Sequence, residues 1–282
     1  MAKRFKALGA YIFAGGFTVG VSQVFDVLAH LEETSYGVST FKQNFPDIPV
    51  YYPPETWPAR FESIDFLYGN PPCAAWSSAG GSVVQGKDWR IDARVNCTRR
   101  HFDLLERHRP TVWAWESVPN AFTIGREFVD ELTRRALDLG YSVTYLLHNA
   151  MYLGAPQRRK RFFFVAHKVE LDVEIPNWTW TSAEDALRGL NDPGEPLDHN
   201  VRKYPHLVKM MKAGMNLRQA WEAATPRPWL LNDKGQVAGR PCMTIRRIHR
   251  KQPAPVVMHE IIHPTEDRAL SVKELAILCG YP

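Results

Sequence analysis

Apolar runs separated by glycine turns and amphipathic stretches predict alternating strands and helices from residue 7 to residue 166. Six apolar runs predict strands, at 7–13, 27–31, 64–68, 111–115, 141–147 and 161–166. Apolar side chains at helical spacing predict three helices, one that begins at Phe17, one over 95–107, and one from Phe128 to Leu139 before Gly140. Strands that alternate with helices are typical of an α/β fold with a mainly parallel sheet.

The pattern is less regular in two segments. Residues 41–63 hold five prolines and predict an irregular connection, and residues 191–252 predict a smaller irregular lobe after a short helix over 182–190. Regular structure returns near the end, where Ser271 and Glu274 form a capping-box pattern and Gly280 ends the predicted helix. We therefore predict a main domain over 1–190, the lobe over 191–252, and a return to the main domain over 253–282.

Composition indicates a globular chain. Of the 282 residues, 45% are hydrophobic and 23% are charged, and no apolar run reaches the roughly 18 residues of a membrane span. The first 13 residues resemble a secretion signal, but Gly15-Gly16 follow at once and no Ala-x-Ala cleavage site is present, which favours a cytoplasmic protein. Four cysteines lie far apart without a C-x-x-C pair, which argues against a metal site and for a reducing compartment. They are Cys73, Cys97, Cys242 and Cys279.

Positive charge is concentrated in one segment of the chain. Residues 201–251 contain twelve Lys and Arg residues and two acidic residues, a net charge of +10, whereas the whole chain carries +5. Such asymmetry favours a face that binds a polyanion, most often nucleic acid, although a solvated basic surface shows the same pattern. Trp221 and Trp229 fit either the core of the lobe or stacking on bases.

A cysteine follows the strand at 64–68 on a stiff turn. Gly69-Asn70-Pro71-Pro72 ends this strand because proline fixes φ and lacks an N–H. Cys73 is thereby placed at the carboxyl edge of the sheet, where open α/β sheets bind their ligands. A small buried cysteine beside a loop shows the same pattern. Residues 77–92, rich in Gly and Ser, predict a mobile loop over this site.

Two further strands bring charged side chains to the same edge. Glu116 directly follows the strand at 111–115. The segment 157–161 leads into the next strand, and the alternation of side chains along a strand predicts that Arg159 and Arg161 point together. Four consecutive cations also fit a surface patch, but their position between two apolar strands favours a pocket or a phosphate site.

The first strand runs into a glycine turn, Gly15-Gly16, with Gly20 one helical turn later. A strand, a glycine turn and a helix form the usual opening of a sheet that binds a nucleoside or a dinucleotide, because glycine lets a ligand approach the backbone. Packing alone also accounts for glycines there. Glu32 and Glu33 follow the second strand, where a carboxylate either holds a ribose diol or is simply solvated.

A thiol, an acid and guanidinium groups at one sheet edge suit a reaction on a pyrimidine. C5 of cytosine is a poor nucleophile, but a thiolate that adds to C6 turns the ring into an enamine whose C5 attacks an electrophilic carbon. Charge on N3 is met by a proton from a carboxyl group, and arginine suits O2 and the flanking phosphates. The base must leave the duplex to reach such a pocket. Cys73, Glu116 and the pair Arg159/Arg161 supply these groups.

Several motifs resemble, in order and spacing, those of the cytosine-C5 DNA methyltransferases. The segment Pro72-Cys73-Ala74-Ala75-Trp76-Ser77 resembles the family's Pro-Cys-Gln-x-Phe-Ser, and Glu116-Ser117-Val118 resembles its Glu-Asn-Val. Gln157-Arg158-Arg159-Lys160-Arg161 matches its Gln-x-Arg-x-Arg, and Asp92-Ala93-Arg94 is similar to its Asp-x-Arg segment. Residues 253–255, 263–268 and 280–282 are similar to the stretch after its target-recognition region. The resemblance covers nearly the whole chain.

This resemblance implies a Rossmann-like, S-adenosylmethionine-dependent methyltransferase sheet and a small irregular target-recognition lobe that reads double-stranded DNA in the major groove. It implies methyl transfer from S-adenosylmethionine to C5 of a flipped cytosine, with Cys73 attacking C6, Glu116 serving N3, and Arg161, beside Arg159, reaching O2. The residues expected at the cofactor are Phe13, Gly15, Gly16, Gly20, Glu32 and Pro72. The residues expected at DNA are Ser77, Gln157, Arg240, Arg246 and Arg247. No metal and no membrane are expected, and the chain is expected to be a monomer unless a partner chain supplies a segment.

The chain departs from the family pattern at several positions. The family's Phe-x-Gly-x-Gly-Gly appears as Phe13-Ala14-Gly15-Gly16, either two residues short or with Phe13 in place of a glycine. Ala74 and Ser117 replace a glutamine and an asparagine. The family continues past Gly-Tyr-Pro into a segment that completes the cofactor pocket, so we expect a partner chain, a truncated sequence or an altered cofactor site. An RNA substrate, a transferred group other than methyl, and a catalytically silent DNA-binding relative are the alternatives.

Overall fold

The structure is a computed structural model that describes residues 4–78, 82, 85–174, 176, 179–198, 201–228, 245–257 and 261–281. The chain divides into two units, residues 1–148 with 160–173, and residues 149–159 with 174–282. This division differs from the domain boundaries predicted at residues 190 and 252. Residues 174–190 and the C-terminal segment belong to the second unit, because their helices share an apolar core there.

A seven-stranded sheet forms the centre of the first unit. Its strands are β1 (Lys6–Ala10), β2 (Asp26–Leu31), β3 (Val50–Tyr51), β4 (Phe66–Gly69), β5 (Val112–Ser117), β6 (Ser142–Asn149) and β7 (Lys160–His167). They lie in the order β3-β2-β1-β4-β5-β7-β6. The pairs from β3 to β5 are parallel, and β7 pairs with β5 in the antiparallel sense. The predicted α/β sheet is confirmed, and the carboxyl ends of its parallel strands share one edge, where ligands bind in such sheets.

Helices cover both faces of this sheet. They are α1 (Gly16–Val21), α2 (Val38–Asn44), α3 (Val95–His108), α4 (Pro119–Thr123) and α5 (Arg126–Asp138). On β1, Ala7 packs in the cluster that contains Val21 of α1, whereas Leu8 packs in the cluster that contains Phe102 of α3 and Leu132 of α5. Successive residues of a strand face opposite sides, so this strand is apolar on both sides, as a covered parallel sheet requires.

The first strand and the first helix are shorter than the hydrophobic pattern predicts. Strand β1 ends at Ala10 rather than at residue 13, because Tyr11 and Phe13 have φ of 57° and 56°, the left-handed region that is incompatible with a strand. Helix α1 ends at Val21, and Leu28, which matches the helical spacing, lies in β2 instead. The apolar pattern alone does not locate these backbone reversals.

Two segments predicted as irregular contain regular elements. Residues 41–63 include the end of α2 and all of β3. Phe41 of α2 is fully buried and anchors this helix on the sheet. In the second unit, residues 191–252 include α7 (Pro205–Met210) and α8 (Leu217–Ala223), which share an apolar cluster. Short helices of six and seven residues present too few apolar positions for a clear helical period.

The second unit also contains α6 (Ala183–Leu187) and α9 (Val272–Cys279), which pack together. The predicted capping box of α9 is confirmed: Glu274 N donates to Ser271 Oγ at 3.2 Å, and Ser271 N donates to Glu274 Oε2 at 2.8 Å. Gly280 ends the helix at φ 81°, as predicted. Among the helices in the described ranges, none has the length and apolar content of a membrane span.

Candidate active site

Three neighbouring strands deliver the predicted reactive side chains to one edge of the sheet. In the pairing of β4 with β5, Gly69 lies opposite Trp115, so the turn that carries Cys73 leaves the sheet beside Glu116. In the pairing of β5 with β7, Glu116 lies opposite Phe163, two residues after Arg161. The order β4-β5-β7 therefore places the thiol, the acid and one guanidinium on adjacent elements of the first unit.

Arg161 contacts the acid directly. Its Nε lies 2.6 Å from Oε1 of Glu116, and both side chains are less than one-fifth exposed. Its Nη1 also donates to the carbonyl of Lys160 at 2.8 Å, which fixes the orientation of the guanidinium plane. A charge-assisted hydrogen bond of this length holds both groups in a defined geometry. Two of the predicted catalytic residues, Glu116 and Arg161, thus form an ion pair in the structure.

Arg159, the second predicted arginine, lies outside the strand. Strand β7 begins at Lys160, so the alternation of strand side chains that predicted a common direction for Arg159 and Arg161 does not extend to Arg159. Arg159 belongs to the second unit, whereas Arg161 belongs to the first. The catalytic role of Arg159 stays a prediction, and the proposal below is argued from Arg161.

The turn that carries Cys73 is braced by the segment that follows Glu116. Asn120, in α4, donates from Nδ2 to the carbonyl of Trp76 at 3.0 Å. Trp76 is fully buried, and Gly125 lies so close that an added Cβ would approach Trp76 Nε1 to 2.7 Å. The chain just after the acid therefore packs on the chain just after the nucleophile, which fixes the two turns relative to each other.

The thiols differ in their surroundings. Cys73 is partly buried, and burial raises the pKa of the Cys97 thiol to about 11, which keeps that group protonated and unreactive at neutral pH. Cys279 is exposed and lies in the second unit, and Cys242 falls outside the described residues. Position at the sheet edge, rather than the presence of a thiol, singles out Cys73.

The predicted loop after Cys73 is tied to the Asp-x-Arg segment. Ser82, nearly fully buried, donates from Oγ to Asp92 Oδ2 at 2.5 Å. Arg94 donates from Nε and Nη2 to the same carboxylate at 2.8 and 2.6 Å, and these bonds hold the pKa of Asp92 well below its usual range. Ser77, half-buried, begins this loop. Residues 79–81, 83 and 84 lie outside the described part of the chain.

Of the glycines near the first turn, Gly15 is closely packed against neighbouring side chains, whereas Gly20 has empty space around it. Gly15 has φ 96°, and an added Cβ would lie 2.4 Å from Phe45, so this glycine is required by backbone conformation and by its neighbour. Gly16 begins α1. Gly20 is exposed with nothing within 4 Å of an added Cβ, so no close approach in the chain itself requires glycine there.

Glu32, the predicted ribose ligand, is buried at the end of β2 and held by two donors. The N–H of Phe13 donates to its Oε1 at 2.8 Å, and His30 Nε2 lies 2.8 Å from the same oxygen. Within the described residues no group donates to Oε2. The adjacent Glu33 is an ion-pair partner of Arg100. Oε2 of Glu33 is buried and also lacks a hydrogen-bond partner among the described residues, but Glu33 is paired with Arg100 through Oε1, so Glu32 is kept as the predicted ribose ligand.

These surroundings fit S-adenosylmethionine. Asn70, between β4 and the half-buried Pro72, has a buried Oδ1 with no hydrogen-bond partner among the described residues. Together with Oε2 of Glu32 and the buried Oε2 of Glu33, it provides acceptors that lack donors among the described residues. The cofactor carries ribose hydroxyls and an ammonium group, which are donors, so the residues present match its chemistry.

Two residues predicted at DNA have protein partners instead. Gln157 is buried, and its Nε2 donates to the carbonyl of Leu278 at 3.5 Å, at the end of α9. Arg247 is also buried and donates to the carbonyls of Val208, His263 and Glu266 at 2.8 to 3.0 Å. A guanidinium with these bonds is not available to a phosphate or a base. Both residues hold the second unit together, which corrects their predicted role.

Arg246, in contrast, is exposed beside its buried neighbour. Arg240 and Trp229 lie outside the described residues. Trp221 is partly buried in the cluster of α7 and α8, and its Nε1 donates to the carbonyl of Pro228 at 2.9 Å, which favours a core role. Of the predicted DNA-binding residues of the lobe, Arg246 is the one that the described structure leaves at the surface.

Sequence reasoning missed two side chains at this edge, His30 and Asn120. His30 lies on β2 and Glu32 directly follows that strand, so the His-x-Glu pattern at the strand end was the available indication. Asn120 follows the Val-Pro helix start, but its partner is the carbonyl of Trp76, and no side-chain pattern reveals a backbone acceptor.

Comparison with known proteins agrees with this geometry. The family described as C-5 cytosine-specific DNA methylase matches residues 8–282. The type II methyltransferase M1.HphI of Haemophilus parahaemolyticus is 26% identical over 288 residues, which cover 95% of this chain and 75% of that protein. The type II methyltransferase M.MthTI of Methanothermobacter thermautotrophicus is 28% identical over 197 residues, 66% of this chain and 57% of that protein. A prophage-encoded protein of E. coli shares the fold, with a TM-score of 0.65, 19% identity, and coverage of 99% of this chain and 89% of that chain. The chain therefore belongs to the C-5 cytosine-specific DNA methylase family.

Proposed function

We propose that this protein transfers a methyl group from S-adenosylmethionine to C5 of a flipped cytosine in DNA, with Cys73 as the nucleophile. The observation that supports this assignment is the order β4-β5-β7, in which the strand before the Cys73 turn is the neighbour of the strand that carries Glu116, the ion-pair partner of Arg161. Family membership supports the reaction, and this arrangement supports the choice of residues.

The proposed residues divide the chemistry among themselves. The Cys73 thiolate bonds to C6, the electron pair of the C5–C6 double bond moves to C4–C5, and the pair of the C4–N3 double bond moves to N3, which takes a proton from Glu116. Arg161 holds Glu116 in place and brings a positive charge toward O2. C5 of this enamine would then take the methyl group as the methyl–sulfur bond breaks and S-adenosylhomocysteine leaves, and N3 would return its proton to Glu116. Loss of the C5 proton to water and cleavage of the S–C6 bond restore the aromatic ring and the thiolate.

The cofactor supplies the electrophilic methyl group. Glu32 would hold the ribose hydroxyls, and Asn70 would accept a hydrogen bond from a donor of the cofactor. Gly15 keeps the backbone turn after β1 in its left-handed conformation. The exposed Arg246 and the basic segment around it contact DNA phosphates or bases.

Nucleoside mass spectrometry is the direct test of the reaction. DNA from cells that express the protein, in a host without its own cytosine methylation, is expected to contain 5-methylcytosine, and DNA from cells that express Cys73→Ala is expected to contain none. A different mass on cytosine would identify another transferred group, and an unmodified nucleoside profile with soluble protein would contradict the assignment.

Covalent trapping tests the nucleophile separately. Duplex DNA in which 5-fluorocytosine replaces cytosine is expected to form a complex with the wild-type protein that survives denaturing electrophoresis, because fluorine cannot leave C5 as a proton does. Cys73→Ala is expected to form no such complex, whereas Cys97→Ala is expected to form it as the wild type does. Equal trapping by Cys73→Ala would refute the assigned thiol.

A further inference from the structure

A buried histidine, His30, is hydrogen-bonded to the proposed ribose carboxylate, Glu32, at the end of β2. His30 and Glu32 are 1% and 2% exposed, and His30 Nε2 lies 2.8 Å from Glu32 Oε1. An ionised carboxylate only accepts hydrogen bonds, so Nε2 carries the hydrogen and donates it. The imidazole is itself held by Phe41, whose ring centroid lies 4.1 Å away.

The same carboxylate oxygen supports the unusual backbone of Phe13. The φ of Phe13 is 56°, a conformation that costs free energy for a residue with a side chain. Its N–H donates to Glu32 Oε1 at 2.8 Å, so Oε1 receives two hydrogen bonds while Oε2 receives none from the described residues. The two donors fix the rotation of the carboxylate and leave one oxygen free.

We propose that His30 is a positioning residue for cofactor binding, which holds Glu32 so that Oε2 meets the ribose hydroxyls. This inference rests on the proposed function, because it takes Glu32 as the ribose ligand. A carboxylate that is already fixed loses less conformational freedom when the ligand binds, and this loss would otherwise weaken affinity. Without the donor on His30, only the hydrogen bond from the N–H of Phe13 holds the Glu32 carboxylate. The carboxylate can then rotate, and Oε2 leaves the position that the ribose requires.

Calorimetric titration of the full chain with S-adenosylhomocysteine tests this role without any turnover. His30→Phe keeps the ring beside Phe41 but removes the donor, and it is expected to weaken binding by about tenfold to hundredfold, the scale of one hydrogen bond to a charged group. His30→Gln restores a donor and is expected to bind more tightly than His30→Phe. His108→Phe, a matched change of a half-buried histidine at the end of α3, is expected to bind as the wild type does.

An analogue of S-adenosylhomocysteine that lacks both ribose hydroxyls separates positioning from general support of the fold. If His30 acts through Oε2 of Glu32, the wild type and His30→Phe bind this analogue with nearly equal affinity, because the group that Oε2 recognises is absent. An equal loss in His30→Phe for both ligands would show that His30 only supports the local structure, and the proposal would be wrong.

Glu32→Gln distinguishes failure of this inference from failure of the proposed function. Weakened binding by Glu32→Gln together with wild-type binding by His30→Phe would overturn the positioning role alone. Wild-type affinity in Glu32→Gln would remove the ribose contact itself, and the inference about His30 would fall with it. Loss in both variants, confined to the ligand with ribose hydroxyls, is the result that we expect.

Discussion

His101 shows how a single residue links this fold to pH. It is fully buried on α3, its ring centroid lies 4.9 Å from that of Trp113, and burial lowers its pKa to about 3. In the unfolded chain the same imidazole titrates near its ordinary value of about 6.5. Between these two values the unfolded chain binds a proton that the folded chain excludes. The contribution of neutral His101 to stability is therefore complete above pH 6.5 and is lost as the pH falls toward 3.

Removal of this imidazole is expected to make the free energy of unfolding depend less steeply on pH in the acidic range. In His101→Phe, the slope of unfolding free energy against pH between about 6 and 4 should decrease by about 1.4 kcal/mol per pH unit, the value for one proton. Urea unfolding at a series of pH values measures this slope. His206→Gln, a change of an exposed histidine, should retain the wild-type slope, and an unchanged slope in His101→Phe would contradict the buried neutral state.

The role of a single residue can be predicted from the sequence only where the residues that determine this role lie close to it along the chain. The sequence placed Cys73 on a turn after one apolar run and Glu116 at the end of another, and the structure has these positions just after β4 and within the last residues of β5. Arg246 and Arg247 are adjacent cations with the same composition around them, yet one is exposed and the other donates to backbone carbonyls. The acceptors of Arg247 come from residues 16 to 39 positions away, so local pattern carries no trace of them.

At the scale of elements, close packing between the segment at α4 and the turn that carries Cys73 makes Gly125 sensitive to substitution. An added Cβ would lie 2.6 Å from the carbonyl of Ala121 and 2.7 Å from Trp76 Nε1, and neither the backbone nor the buried ring yields easily. Gly125→Ala is expected to lower stability by about 1–3 kcal/mol, the usual cost of overpacking. Since Trp76 lies three residues after Cys73, the variant is also expected to lose trapping of 5-fluorocytosine DNA.

Gly20→Ala is the matched control for this substitution. Nothing lies within 4 Å of the added Cβ in α1, so the variant should be as stable as the wild type or more stable by about 0.4–1 kcal/mol, because alanine restricts the unfolded chain. Thermal unfolding of both variants provides the comparison. Equal stability of Gly125→Ala and the wild type would show that α4 moves freely relative to the nucleophile turn.

Elements with many apolar positions were predicted well, and elements defined by few residues were not. Helix α3 was expected over 95–107 and is found at Val95–His108, and the capping box of α9 is present as its four residues indicate. Helix α4 has five residues and β3 has two, so neither presents a full period. Their stability comes from packing on distant parts of the chain, which the local pattern does not contain.

At the scale of the whole molecule, charge is distributed unevenly along the chain. Residues 201–251 carry +10 in a protein of net charge +5, so the remaining residues are acidic on balance. The α/β sheet was predicted by the alternation of elements and by the resemblance to known methyltransferases, whereas the order of its strands comes from the structure. The division into units was not predicted, because residues 149–159 join the second unit although they lie between two strands of the first.

Salt dependence of DNA binding tests which part of this charge contacts DNA. Loss of one phosphate contact reduces the magnitude of the slope of log K against log salt by about 0.9 on duplex DNA, because one fewer counterion is released. Arg246→Ala is expected to weaken binding and to reduce the slope by this amount, as measured by fluorescence anisotropy at several salt concentrations. Arg134→Ala, which removes an exposed cation from α5, should leave the slope unchanged.

Arg247→Met gives the contrasting result if Arg247 is structural. The loss of its guanidinium leaves the carbonyls of Val208 and His263 without their donor, so a fall in stability of about 1–3 kcal/mol is expected. At a temperature where this variant stays folded, its salt slope should equal that of the wild type. A reduced slope in Arg247→Met with unchanged stability would mean that Arg247 leaves its carbonyl partners to bind DNA, and the interface would then include both arginines.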